Sequence, residues 1–81
     1  MNDLESAEKI SIDIKKLERN LKQVADINFE GKEKEVYDRA VDYMNDSKYY
    51  LEKKKDMRTA FGCIEYSHGL LDALRMIHGL I

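Results

Sequence analysis

The stretch MRTAFGCIEYSHGLLDALRMIHGLI, residues 57–81, decides the fold. At about 100° of rotation per residue, Met57, Ala60, Phe61, Ile64, Ser67, His68 and Leu71 share one helical face, flanked by Cys63, Leu70, Leu74 and Ile77. The opposite face is small rather than charged: Gly62, Tyr66, Gly69 and Ala73 follow one another at steps of four, three and four. Only Arg58, Glu65, Asp72 and Met76 form a sector that resembles a solvated surface. A helix that is apolar or small over most of its circumference is normally enclosed on more than one side. The rest of the chain is therefore expected to wrap around this one.

Immediately upstream, Lys53, Lys54 and Lys55 precede Asp56. Cations suit the exposed carbonyls at a helix C-terminus, and an aspartate suits the N-cap of the next helix, so the run reads as a turn between two helices. Before it, Val36, Tyr37, Ala40, Tyr43, Met44, Ser47, Tyr50 and Leu51 line one side of a second helix, with Glu35, Asp38, Arg39, Asp42, Asp46 and Lys48 opposite. Tyr37, Tyr43 and Tyr50 fall at the edges of that stripe, where rings pack and hydroxyls reach water, while Tyr49 points away. The segment from Asp26 to Lys32 interrupts the pattern, and Gly31 supplies a backbone free to take positive φ. Ile27 and Phe29 in this connection are expected to fold back over the end of the bundle. Further upstream, Ile10, Ile14, Leu17, Leu21 and Val24 recur at steps of four, three, four and three, a narrow apolar seam among charges. Leu4 and Ala7 extend the seam, Asn2 with Glu5 resembles a capping arrangement, and Ile12 lies off the stripe as an exposed apolar residue.

Together these patterns predict an all-α fold, an antiparallel up-down-up three-helix bundle with helices at about 3–25, 33–53 and 57–78. Chain length sets one domain, 1–81, because 81 residues leave no room for a second core. Charged residues make up 37% of the chain and proline is absent, a composition that favours an all-α fold. The net charge of −2 gives no global attraction for nucleic acid or an anionic membrane. No apolar run approaches the roughly 20 residues of a membrane span, and the acidic, hydrophilic opening MNDLESAEK does not resemble a leader. A cytoplasmic location follows. The lone Cys63 has no disulfide partner and reads as a small buried hydrophobe.

Three features bear on function. His68 and Asp72 are one turn apart and Arg75 follows three residues on, so these side chains can form a polar ladder. A carboxylate beside an imidazole is the pair a general base needs, but no nucleophile and no metal-ligand spacing completes it, and neither a cofactor nor an enzyme is expected. Lys53, Lys54, Lys55 and Arg58 make a candidate anion patch, which with the tyrosines suits a nucleic acid or a nucleotide. Gly62 and Gly69 each cost a helix about 1 kcal/mol relative to alanine, which close approach of another helix on the face of Gly62, Tyr66, Gly69 and Ala73 offsets. That helix belongs either to the same chain or to a partner protein or second subunit.

The run from Asp46 to Leu74, DSKYYLEKKKDMRTAFGCIEYSHGLLDAL, resembles the domain of unknown function family numbered 357. The matching positions are Asp46, Lys48, Tyr49, Leu51, Glu52, Lys53 and Asp56, then Ala60, Tyr66, His68, Gly69, Leu70, Leu71, Asp72 and Ala73. They span somewhat more than a third of the chain, and the Y-x-H-G-L-L-D-A run is not a generic helix pattern. The family's turn commonly carries glycine before the aspartate, where this chain has lysines, and the first helix shows no family mark. The resemblance implies a small helical bundle of archaeal origin. Because the family has no established activity, Tyr66, His68, Gly69 and Asp72 are signature positions without an implied role. The function expected is a non-enzymatic protein-interaction or self-association module, with a nucleic-acid or nucleotide-binding accessory domain as the alternative.

Overall fold

The computed structural model describes residues 3–81, with side chains from Ser6 onward. It contains three helices, α1 (Asp3–Gln23), α2 (Gly31–Glu52) and α3 (Met57–Ile77), and no strand among the described residues. The capping arrangement of Asn2 with Glu5, and the extension of the seam to Leu4, lie outside the described residues.

Polar cross-links set the topology. Ser47 Oγ donates to the Ala60 carbonyl at 2.7 Å and Ser67 Oγ donates to the Ala40 carbonyl at 2.5 Å, so α2 and α3 run antiparallel. His68 reaches Asp13 and Arg75 reaches Gln23, so α1 runs parallel to α3. This is the expected up-down-up bundle. α2 pairs most extensively with α3, and α1 lies more against α3 than against α2.

The α1 seam is buried as its spacing predicts: Ile10, Ile14, Leu17 and Val24 are enclosed and Leu21 is half-buried. Ala40, Met44, Ser47 and Leu51 come from α2, and Ala60, Ile64, Ser67, Leu71 and Leu74 from α3. Between α2 and α3 the layer is small: alanine and serine recur seven residues apart in both helices, and each serine faces the other helix's alanine. A serine hydroxyl here replaces a methyl with a hydrogen bond, so close approach leaves no buried polar side-chain atom unpaired among the described residues.

The helix ends follow their local chemistry. α1 stops at Gln23 and tightens into a turn in which the Val24, Ala25 and Ile27 amides donate three residues back. Gly31, at φ 59°, opens α2 two residues earlier than expected, in a conformation that strains any residue with a Cβ. Phe29 folds back as predicted, stacked on Tyr37 at 5.4 Å between centroids and edge-on to His78 at 5.2 Å. His78 also lies 2.5 Å from a Glu33 carboxylate oxygen, which ties the end of α3 to the start of α2. At that end the Gly79 amide donates to the Met76 carbonyl and the Leu80 amide to the Arg75 carbonyl, with Gly79 at φ 72°, the geometry of a Schellman cap.

At the other turn Lys55 takes φ 55°, a left-handed conformation that costs a non-glycine residue about 1–2 kcal/mol. This is the lysine in front of Asp56, where the resembled family commonly carries glycine. Asp56 caps α3 as predicted: its carboxylate accepts from the Thr59 amide at 3.1 Å and from the Thr59 hydroxyl at 2.7 Å. The hydroxyl bond, followed by the amide bond, holds the Asp56 carboxyl below its ordinary value of 3.8. A depressed carboxyl stabilises the fold above its unfolded value and loses that contribution as pH falls through the folded value. Asp56→Asn keeps an acceptor but does not titrate. Its urea midpoint is expected to fall less steeply than the wild type's below about pH 3.8, and parallel pH profiles would contradict this.

Candidate interaction surface

The third helix is covered on two sides and open on the third. α2 takes the side of Cys63, Ser67 and Leu70, and α1 takes the side of Ile64, His68 and Arg75. With only two other helices among the described residues, neither of these covers the sector between. Gly62, Tyr66, Gly69 and Ala73 all fall there and all are exposed, Tyr66 by 53%. A Cβ built on Gly62 or Gly69 would meet no atom within 4 Å, so no helix of this chain nests against either glycine. α3 is therefore enclosed on more than one side, as expected, but the rest of the chain does not wrap all the way around it. Ile77 is 65% exposed and Phe61 46% exposed, although their spacing places them beside the core. Met76 adds a further exposed apolar side chain next to this sector.

Tyr66 has an aromatic neighbour on α2. Its ring packs on Tyr43 of α2 with centroids 4.6 Å apart, so an aromatic side chain stands beside the glycines in a defined position. Tyr37 and Tyr50 are half-buried at the edges of the bundle, and Tyr49 is exposed beneath the Lys54 ammonium, 5.9 Å from its centroid. Ile12 stands alone on the surface of α1.

The polar ladder divides. His68 Nε2 lies 3.0 Å from the Asp13 backbone carbonyl of α1. That oxygen can only accept, so the bond places the proton on Nε2. Asp72 instead pairs with Arg75 Nη1 at 2.9 Å, and Arg75 Nε donates to the Gln23 side chain at 2.8 Å. These residues stitch α3 to α1 rather than forming an imidazole held by a carboxylate. Cys63 is half-buried, and burial, then the nearby Asp46 and Asp56 carboxylates, push its thiol up, away from the reactive thiolate. Among the described residues no group of three or more His, Cys, Asp or Glu side chains is placed to hold a metal ion. Among the described residues no helix is long and apolar enough to cross a membrane.

The lysine run divides as well. Lys53 is the C-cap residue of α2 and Lys54 sits over Tyr49, whereas Lys55 and Arg58 turn toward the N-terminal part of α1. Two features of this geometry were not anticipated from sequence: the reciprocal alanine–serine layer and the grouping of Lys55 and Arg58 with α1. The first has a signal, the seven-residue spacing of Ala40 with Ser47 and of Ala60 with Ser67.

What the fold and surface define is a small all-α bundle whose third helix presents an open face of glycine, tyrosine and alanine. The chain belongs to the family described as "Protein of unknown function (DUF357)", whose model matches residues 13–80. The match begins within α1 and takes in its second half, so the expectation that the first helix bears no mark of the family is corrected. No curated protein is similar enough to the chain to count as a match.

Proposed function

We propose that this protein is a non-enzymatic helical interaction module that docks another polypeptide, or a second copy of itself, on the α3 face formed by Gly62, Tyr66, Gly69 and Ala73. The observation that carries the reading is the emptiness around the two glycines, neither of which would bring a Cβ within 4 Å of anything. Each glycine costs the helix about 1 kcal/mol, and packing within the chain returns none of it. An incoming helix would return it as close backbone contact. Tyr66, already held against Tyr43, supplies the rigid aromatic anchor that such interfaces favour. The single thiol, without a disulfide partner, supports a location in the reducing cytoplasm.

A second reading, nucleic-acid or nucleotide binding through Lys53, Lys54, Lys55 and Arg58, draws support from the exposure of all four. The net charge of −2 and the division of the run between two directions weigh against it.

Affinity capture from a lysate of the source cells, with tagged wild type and tagged Gly69→Leu side by side and half of each treated with nuclease, separates the readings. The expected result is one stoichiometric protein, another polypeptide or the untagged chain, that survives nuclease and falls about tenfold or more with Gly69→Leu. Equal recovery by both proteins, or recovery only through nucleic acid, contradicts the module. Matching helical circular dichroism establishes that the variant is folded.

A further inference from the structure

Because α1 and α3 run parallel, their N-terminal turns lie at the same end of the bundle, opposite the Phe29 closure. Between them is a cavity of about 490 Å³, within the range of roughly 300–1,000 Å³ typical of small-molecule sites. Its apolar lining comes from Ile10, Met57 and Phe61. Ile10 belongs to the core, whereas Phe61 is 46% exposed. Among the described residues, three cations, Lys9, Lys55 and Arg58, stand around this lining together with one acid, Asp56. The described side chains of the lining therefore carry 3 − 1 = +2, in a chain whose net charge is −2.

The acid is already engaged, since both Asp56 carboxylate oxygens accept from Thr59. That capping also occupies the Thr59 amide, so recognition at this end falls to side chains rather than to the helix terminus. No ion pair among the described residues engages Lys55 or Arg58. The left-handed backbone at Lys55 brings the last lysine of the turn to the cavity while Lys54 stays over Tyr49. An apolar lining beside cations that form no ion pair among the described residues has a defined chemical complement.

We propose that this cavity binds a small amphiphilic anion, a single carboxylate or phosphate head on a short apolar tail. The tail lies on Ile10, Met57 and Phe61, and the head lies between Lys55 and Arg58. The site is separate from the glycine face and needs no partner protein. It also differs from a plain basic patch, because the lining requires the tail.

The test is a titration of the labelled protein, followed by amide NMR, with sodium hexanoate, hexyl phosphate, 1-hexanol and inorganic phosphate. At least one of the two amphiphilic anions is expected to shift the amides of Ile10 and Met57 to Phe61 saturably, and the tighter one identifies the head group. Hexanol and inorganic phosphate are expected to bind about tenfold more weakly or worse. Arg58→Glu and, independently, Lys55→Glu are each expected to lower the anion's affinity about tenfold while helical content is kept. Hexanol binding as well as hexanoate would reduce the cavity to an unselective gap and overturn the proposal. Inorganic phosphate binding as well as hexyl phosphate would overturn the role of the lining. The absence of any saturable shift with either anion, up to the solubility of the probe, would overturn the site altogether.

Discussion

Truncation of Leu71 to alanine is expected to cost about 3 kcal/mol of stability, within the range of roughly 2–5 for a buried leucine. Leu71 is fully buried, in one core cluster with Ile10, Ile14 and Leu17 of α1 and Ala40 and Met44 of α2. A cavity at that position removes apolar contact from the junction of all three helices. A domain of this size holds roughly 4–12 kcal/mol in total, so one side chain accounts for a large share. Urea unfolding should show a lower midpoint at an unchanged slope. A loss below about 1 kcal/mol would mean that the site collapses freely, and that the centre of the bundle is not where the fold places it.

The opposite kind of change, at the α2–α3 layer, is expected to do comparable damage. Ala60→Leu should cost about 2–3 kcal/mol, because overpacking forces rotamers and backbone apart. Ala60 is fully buried, and its own carbonyl accepts the Ser47 hydroxyl at 2.7 Å, so a leucine must push α2 away and stretch that bond. The Ser67 to Ala40 bond at 2.5 Å lies on the same seam and would open with it. A fall in Tm of more than roughly 10 °C is the expected reading. An unchanged Tm would show that the helices are not in close contact there.

Why Ala60 and Gly69 differ so sharply was only partly legible in the sequence. Periodicity placed Ile10, Ile14, Leu17 and Val24 in the core because a seam of that spacing has one way to be buried. Asp56 and Phe29 were legible for local reasons, a cap that needs an acceptor and a large ring in a short connection. The glycine face was ambiguous, because spacing on one helix says which residues share a side but not whether anything stands opposite. Three helices give α3 two neighbours, and the sector between Arg75 and Tyr66 is what two neighbours cannot reach. The same limit applies to His68, which lies one turn from Asp72 but finds its partner in the Asp13 carbonyl on another helix. The cavity beside Lys55 and Arg58 was illegible for a further reason. Its walls come from two stretches far apart in sequence, one near Ile10 and one from Lys55 to Phe61, and it forms only once α1 and α3 lie parallel.

The most direct test of the account is the sign of a single stability change. Gly69→Ala adds one methyl to a helix where the structure shows nothing within 4 Å to meet it. Measured by urea unfolding of the isolated protein at high dilution, the variant is predicted to be more stable than the wild type by about 1 kcal/mol, the difference in helix propensity. A loss of stability under the same conditions would mean that the glycine face is packed within the chain, which would leave no open surface on α3 for a partner to occupy.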